Sequence, residues 1–150
     1  MENTKKIQDL LMNAIFEVFE KMFFVFLEPL DEDVKYDMIA SINFTGSIKG
    51  DINVFFTHNM ASAMVQNMLG VDEDGVTPQL IEDCAKEAVN MIGGNFLQKY
   101  DSSKVFDLSI PIFKKESGVY ATQDTASTDN VWNLSFESNE SLLGVKMMIS

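Results

Sequence analysis

One predicted helix in the middle of the chain carries the residues best suited to chemistry. Glu87 and Asn90 lie three residues apart in the segment DCAKEAVNMIGGN, which spans residues 83–95. A helix turns by about 100° per residue, so positions i, i+4, i+7 and i+11 form one stripe along its surface. In this segment the stripe consists of Asp83, Glu87, Asn90 and Gly94. It presents a carboxylate, a carboxamide and bare backbone, which suits docking into another molecule's site and holding a water there.

The opposite face of the same helix is predicted to be buried, and it carries apolar or small residues at Ile81, Cys84, Ala88, Met91 and Ile92. The polar stripe also has an ordinary interpretation, because a polar i, i+3 pair on a helix usually marks a solvated face. On physical grounds alone that interpretation is favoured. The glycine pair 93–94 costs about 1 kcal/mol per glycine relative to alanine inside a helix. Either tight helix packing or close approach by a partner would account for it.

Familiar catalytic motifs are missing from the sequence. His58 is the only histidine, and it lies in a Thr-His-Asn run that looks like the start of a helix. Cys84 is expected to be a buried packing residue rather than a reactive thiol, because it falls on the apolar face. The sequence contains no HExxH, no CxxC and no phosphate-binding glycine loop. We therefore expect no metal site in this chain.

The composition limits the class of protein and its partners. The 150 residues are enough for one domain with its own core, and the hydrophobic fraction of 46% excludes a disordered chain. The net charge of −12 makes nucleic acid and anionic membrane poor partners, since both require clustered Lys and Arg. One cysteine permits no internal disulfide, so we expect a cytoplasmic protein. The longest apolar run, residues 22–27, is too short to span a membrane.

The periodicity of the apolar residues and the positions of capping and turn residues predict an α+β domain over residues 1–150. Three helices are predicted, and the first and third span residues 4–27 and 79–99. The second begins at a cap formed by Asn59, runs to Leu69 and is ended by Gly70. Strands are predicted over residues 35–45, 48–56, 104–114, 118–123, 130–138 and 142–149. Residues 71–78 form an acidic loop, and the stretch 121–130, rich in Thr, Ser and Asp, is expected to be mobile at its centre.

The two halves of the chain repeat at an offset of 70 residues, which indicates a duplication, with chance similarity of apolar patterns as the alternative. The offset aligns Asn13 with Asp83, Glu17 with Glu87, Glu20 with Asn90, Phe24 with Gly94, residues 36–38 with 106–108, and Ile42 with Ile112. A second carboxylate at position 20 would repel an oxyanion, and a phenyl ring at position 24 would block close approach. We therefore expect one active face, on the second helix.

The spacing Asp83-x3-Glu87-x2-Asn90, followed by MIGGN and a later proline, resembles the chemotaxis phosphatases of the CheC/CheX/FliY family. That family's pattern is an Asp or Ser, then x3-Glu-x2-Asn, then a proline some twenty residues on, for which Pro111 is the candidate. The resemblance extends to residues 50–54 and 60–70, and it covers most of residues 4–115. Because the motif occurs only on the second helix, the chain looks most like CheX.

The resemblance implies a fold and a function. The fold would be a duplicated αβ repeat with two long helices packed side by side on a shared sheet. The function would be hydrolysis of the aspartyl phosphate of a CheY-type response regulator. Asn90 would orient the attacking water, and Glu87 would contact the regulator's phosphate-binding lysine. Asp83, Gly94 and Pro111 would contact the partner.

The family also implies what surrounds the reaction. The Mg²⁺ would belong to the regulator, so this chain would need no cofactor of its own. CheX relatives form homodimers, and an exposed edge strand among residues 118–149 is a plausible seam. Two alternatives stay open. One is a module that docks a response regulator without turning it over. The other is a structural flagellar-switch component related to FliY, although no additional switch-binding domain is visible in the sequence.

Overall fold

Three α-helices and nine strands are formed by residues 2–120 and 130–150, which are the residues described by this computed structural model. The helices are α1 (Glu2–Met22), α2 (His58–Leu69) and α3 (Pro78–Tyr100). A single 3-10 turn, Glu73–Gly75, lies in the acidic loop between α2 and α3. The strands are β1 (Glu28–Pro29), β2 (Val34–Tyr36), β3 (Met38–Thr45), β4 (Gly50–Phe56), β5 (Asp107–Leu108), β6 (Ile112–Lys114), β7 (Gly118–Tyr120), β8 (Val131–Ser138) and β9 (Ser141–Ile149).

The main sheet is antiparallel and nearly symmetric about its centre. Its order is β1-β8-β9-β4-β3-β5, and β6 also pairs with β3 beyond β5. Hairpin β3–β4 therefore faces hairpin β8–β9 across the central β4–β9 pair, and each hairpin has short strands on its outer side. Helices α1 and α3 pack side by side and cover one face of this sheet. The predicted α+β fold, with two long helices on a shared sheet, is confirmed.

The 70-residue repeat holds for the helices, but the predicted strand alignment is wrong. Residues 11–19 of α1 and 81–89 of α3 have the same succession of buried, half-buried and exposed positions, so the offset of 70 holds there. The same offset aligns residues 36–42 with residues 106–112, yet residues 107, 108 and 112 of that second segment pair directly with β3 in the sheet. The strand that takes the place of β3 in the second half is β8. Alternating strand patterns fit many registers, which explains the error.

The first helix is shorter than predicted. It ends at Met22 because Phe24 adopts the left-handed conformation, with φ of 53°, and the N–H groups of Phe23 and Val25 both bond to the carbonyl of Phe19. Beyond this cap the chain is extended, and Val25 is buried. The apolar run was predicted as helix because its hydrophobicity carries no clear period. In the structure its side chains alternate between the core and the surface.

The remaining boundaries differ from prediction in small ways. Thr57, rather than Asn59, caps α2, because its extended backbone lets its hydroxyl accept a bond from the N–H of Met60. Gly70 ends α2 in the left-handed conformation, as predicted. The strands predicted over 35–45 and 104–114 are each broken into two. Only Gly118–Tyr120 of the predicted strand 118–123 is described. The expected mobile stretch lies outside the described residues, apart from residue 130.

A small ribbon made of β2 and β7 covers the other face of the sheet. Tyr120 of β7 stacks on Phe55 of β4, with ring centroids 4.6 Å apart. Its hydroxyl oxygen lies 2.9 Å from Asn133 Oδ1 and 3.0 Å from the carbonyl oxygen of Val145, and these two acceptors share its single proton. Because Phe55 alternates with core residues of β4, the ribbon lies opposite α1 and α3.

Candidate functional site

The polar stripe lies on α3 as predicted, and capping and core packing fix the position of α3. Thr77 caps the helix by accepting a hydrogen bond from the N–H of Leu80 at 3.2 Å, and Pro78 occupies the first turn. Asp83 is exposed, while Glu87, Asn90 and Gly94 are half-buried. The buried face packs on both α1 and the sheet. The site residues therefore project from a helix whose position is fixed by the core.

The buried face of α3 differs from prediction at one position. Met91 is 40% exposed, whereas Gly93 two residues later is buried, as are Ala85 and Val89. The buried face is wide because α3 contacts α1 along one flank and β3 along the other. The prediction for Met91 was wrong because the centre of that face lies nearer Ala85 and Val89, which leaves Met91 outside it.

Four of the five predicted site residues line one open groove of about 400 Å³. Asp83, Glu87 and Asn90 come from α3, and Pro111 comes from the segment between β5 and β6. The sequence interpretation missed the two other lining residues, Lys86 and Ile110. Lys86 could have been found from the helix, since it neighbours Glu87 and Asn90 on the same side. Nothing in the sequence placed residue 110 beside a helix twenty residues earlier.

Gly94 does not line this groove. It lies one helical turn beyond Asn90 and borders a second depression of about 280 Å³ next to Leu108. A Cβ atom added at Gly94 would meet only Leu108 Cδ1, at 3.9 Å, so alanine fits there without strain. At Gly93 the same atom would collide with Ile42 Cδ1. Gly93 is therefore a packing requirement, whereas packing within the chain does not explain Gly94.

A β-bulge brings Pro111 to the groove. Phe44 pairs with Leu108 and Ser41 pairs with Ile112, so two residues of β3 face three residues at positions 109–111. Ser109 bridges the gap, because its hydroxyl accepts the N–H of Asn43 while its own N–H donates to the carbonyl of Asn43, both at 2.8 Å. A proline is tolerated at a bulge, where no ladder N–H is needed. Bulges commonly re-aim side chains beside functional sites.

The polar groups of the groove differ in how they are bonded. Asp83 accepts a hydrogen bond from Gln79 at 2.9 Å, and the ammonium of Lys86 lies 2.7 Å from the Glu82 carboxylate. Within residues 2–120 and 130–150, the carboxylate of Glu87 and the carboxamide of Asn90 form no hydrogen bond or ion pair. These two side chains are therefore available to an incoming molecule.

Cys84, just behind the groove, is unsuited to nucleophilic attack. Its side chain is buried, as predicted, and burial raises the pKa of the thiol. The carboxylates of Asp83 and Glu87 raise that pKa further, because they disfavour a second negative charge nearby. His58 begins α2, where its backbone N–H bonds to Asp37 at 2.7 Å, and it does not line the groove.

The equivalent position on α1 has a different use. Glu17, the counterpart of Glu87, lies 2.9 Å from the ammonium of Lys99 and 3.1 Å from that of Lys21. Hydrogen bonds from Lys99 and then Lys21 hold the pKa of Glu17 below its ordinary value. Glu20, the counterpart of Asn90, is exposed, and so is Phe24. The carboxylate of the first repeat therefore joins the two long helices.

Across residues 2–120 and 130–150, no three histidine, cysteine, aspartate or glutamate side chains are grouped to hold a metal ion. No helix in those same ranges is long and apolar enough to cross a membrane.

Comparison with known families decides the membership of the chain. The model of the family described as chemotaxis phosphatase CheX matches residues 38–135, a span that contains all the residues lining the groove. The chain belongs to the CheX family. The match includes α3 with its Asp-x3-Glu-x2-Asn spacing and the bulge with Pro111. The resemblance seen in the sequence is thereby confirmed at the level of the family.

Solved structures agree on the fold of this CheX-family chain. A chemotaxis protein of Desulfovibrio vulgaris Hildenborough is 24% identical, with a TM-score of 0.76 and 97% of each chain covered. Chemotaxis protein CheX of Vibrio vulnificus is 18% identical, with a TM-score of 0.77 and 96% of each chain covered. The CheX of a CheX-CheY-BeF3-Mg complex from Borrelia burgdorferi is 18% identical, with a TM-score of 0.69 and coverage of 94% and 96%. A comparison with curated proteins found no match.

Proposed function

We propose that this CheX-family protein hydrolyses the aspartyl phosphate of a CheY-type response regulator, in chemotaxis or another two-component pathway. One observation carries the proposal: Glu87 and Asn90 lie unbonded, side by side, on the rim of an open groove on a rigid helix. A side chain on the surface of a helix can enter a partner's site, whereas a buried cleft would instead receive a small substrate. Membership of the family and the existence of a CheX-CheY complex support a CheY-type partner.

Asn90 is assigned the positioning of the attacking water. A carboxamide both donates and accepts hydrogen bonds, so it can hold a water and contact a phosphoryl oxygen together. The water would attack phosphorus in line, the bond from phosphorus to the aspartyl oxygen would break, and the products would be inorganic phosphate and the free aspartate. Phosphoryl transfer needs positioning and charge stabilisation more than covalent assistance. The lack of a usable histidine or thiol near the groove fits this chemistry.

Glu87 is assigned the docking of the regulator through its phosphate-binding lysine. The Glu87 carboxylate has no ion-pair partner among the described residues, although Lys86 of the same helix is paired with Glu82. Asp83 and Pro111, from the same groove, and Gly94, one turn away, would meet the surrounding surface of the regulator. Mg²⁺ in the regulator would neutralise the phosphoryl charge, and this chain would supply no ligand to it.

The test is loss of phosphate from a phosphorylated CheY-type regulator of the same organism, with and without this protein. Acceleration by the wild-type protein that disappears in Asn90→Ala would support the phosphatase and the role of Asn90 together. Binding without acceleration would favour the second candidate, a module that docks a regulator without turning it over. Neither effect, across the organism's CheY-type regulators, would refute the proposed function.

The oligomeric state and compartment belong to the same proposal. We infer a homodimer in which a second copy pairs along the outer edge of β8. Among the described residues, β1 pairs there at Phe136 and Glu137, and the N–H of Leu30 donates to the carbonyl of Ser135. Sedimentation at several concentrations would test this, and a monomer at micromolar concentration would contradict it. A cytoplasmic protein acting as one domain over residues 1–150 fits the single free cysteine, Cys84, and a cytoplasmic regulator.

A further inference from the structure

Ile110 is an apolar side chain placed in an unusual position. It occupies the middle of the bulge at residues 109–111, where three residues face Ile42 and Asn43 of β3. Its side chain is 85% exposed, so it contributes almost nothing to the core. The bulge is fixed on one side by the two bonds between Ser109 and Asn43 and on the other by Pro111, whose φ is restricted. A rigid backbone therefore holds Ile110 in solvent.

Single exposed apolar residues are common and need no explanation by themselves. Ile110 differs because it lines the groove that contains Glu87 and Asn90, and four of the five other lining residues are charged or polar. An apolar group surrounded by polar groups has the composition of a small interface, in which a central anchor is enclosed by a polar rim. A molecule that fills the groove would contact Glu87, Asn90 and this side chain, because all three line it.

The edge of the sheet gives a second reason. Strands β5 and β6 form one outer edge, and an exposed apolar residue on an edge strand favours unwanted pairing. Several neighbouring positions reduce that risk, since Asp107, Lys114 and Lys115 are charged and Pro111 has no N–H to donate, whereas Ile112 of β6 is a second exposed isoleucine. Ile110, unlike Ile112, lines the groove, and its exposure at that place points to a partner that covers it.

We propose that Ile110 is a docking residue that packs on an apolar patch of the response regulator bordering its phosphorylation site. This inference rests on the proposed function, because it takes the regulator as the molecule that enters the groove. Ile110 touches neither the phosphoryl group nor the water. It acts by holding the regulator so that Asn90 meets the phosphoryl group. Its loss therefore weakens binding and leaves the rate of the bound complex unchanged.

The experiment compares Ile110→Ser, Ile110→Leu and Val119→Ser with the wild-type protein. Val119 is a matched control because it is 58% exposed and lies in the β2–β7 ribbon, on the face of the sheet opposite α3. Dephosphorylation rates are measured over a range of phosphorylated-regulator concentrations, and the regulator's affinity is measured separately by titration. Thermal unfolding of each variant verifies that the fold is retained.

For Ile110→Ser we expect a half-saturating concentration raised roughly tenfold, an unchanged maximal rate and an unchanged unfolding temperature. Ile110→Leu should restore most of the affinity, and Val119→Ser should behave as wild type. Equal half-saturation for wild type and Ile110→Ser would overturn the inference while the phosphatase stands. If the wild-type protein binds the regulator without dephosphorylating it, the proposed function fails. In that case the binding titration still tests the role of Ile110, because an unchanged affinity of Ile110→Ser for the regulator would overturn it.

Discussion

Lys99 on α3 reaches across to Glu17 on α1, with Nζ and Oε2 2.9 Å apart. Glu17 occupies the position in the first helix that Glu87 occupies in the second, and the two helices share one pattern of burial over the surrounding residues. One copy of the carboxylate thus ties the helices together, while the other faces an open groove. The two equivalent glutamates therefore differ in role, because Glu17 joins two helices and we assign Glu87 to partner binding.

The first prediction concerns this ion pair and pH. Because Lys99 and Lys21 lower the pKa of Glu17, the pair stabilises the fold above the ordinary glutamate pKa of about 4.3, and this contribution is lost as the pH falls through the lowered folded-state value. Glu17→Gln should therefore lower the unfolding temperature at neutral pH and have no effect in acid. The check is thermal unfolding across this pH range, with Glu20→Gln as the control. A difference that persists in acid would contradict the ion-pair explanation.

The second prediction concerns Asn90. Asn90→Ala should lower the maximal rate of dephosphorylation by roughly 10²-fold or more, as for loss of one positioned transition-state group, with little change in regulator affinity. Asn90→Asp should be as impaired, because aspartate accepts hydrogen bonds but cannot donate them, and it adds negative charge. Single-turnover kinetics at saturating protein measure the effect. Glu20→Ala, at the counterpart position on α1, is the control and should retain the wild-type rate.

The third prediction concerns Glu87 as a docking residue. Removal of an exposed charge pair costs about 1 kcal/mol, so Glu87→Ala should raise the half-saturating regulator concentration roughly fivefold. Glu87→Gln keeps the shape and should lose nearly as much, because the charge is what binds the lysine. The half-saturating concentration of the wild type should also increase with salt, and that of the variants should increase less. Equal salt dependence in all three proteins would rule out this role.

The fourth prediction separates the two glycines of α3. Gly94→Ala should raise the free energy of unfolding by up to about 1 kcal/mol, because alanine favours the helix interior and finds open space there. Gly93→Ala should lower it by roughly 1–2 kcal/mol, because its Cβ would collide with Ile42 Cδ1. Urea unfolding measures both values. Gly94→Ala should nevertheless weaken regulator binding if a partner approaches the bare backbone, and unchanged affinity would remove Gly94 from the docking surface.

A double-mutant cycle gives the control for the Gly93 prediction. Ile42→Val removes the Cδ1 atom that Gly93→Ala would meet, while Leu108 Cδ2, at 3.4 Å, stays in place. Gly93→Ala should therefore cost less in the Ile42→Val background than in the wild type. Equal costs in the two backgrounds would show that the collision is relieved by other movements of the chain.

The sequence alone determined the features that depend on local spacing. The stripe on α3 follows from helix geometry, and Gly70 and Pro78 mark helix ends because their backbone preferences are intrinsic. The equivalence of α1 and α3 was visible because residues on a helix meet their neighbours at fixed intervals. The family resemblance rested on the same local spacing. The position of Glu87 and Asn90 on the polar side of α3 was predictable for this reason, whereas their assigned roles remain to be tested.

Only the tertiary structure decided which distant segments meet. The strand alignment was wrong because alternating patterns fit several registers, and only the pairing of β3 with β5 and β6 fixes one. The bulge that places Ile110 and Pro111 beside Asn90 depends on that pairing. The contact of Lys99 with Glu17 depends in the same way on the packing of α3 against α1. Hydrogen-bond register and helix packing are set by the whole core, so no local pattern in the sequence specifies them.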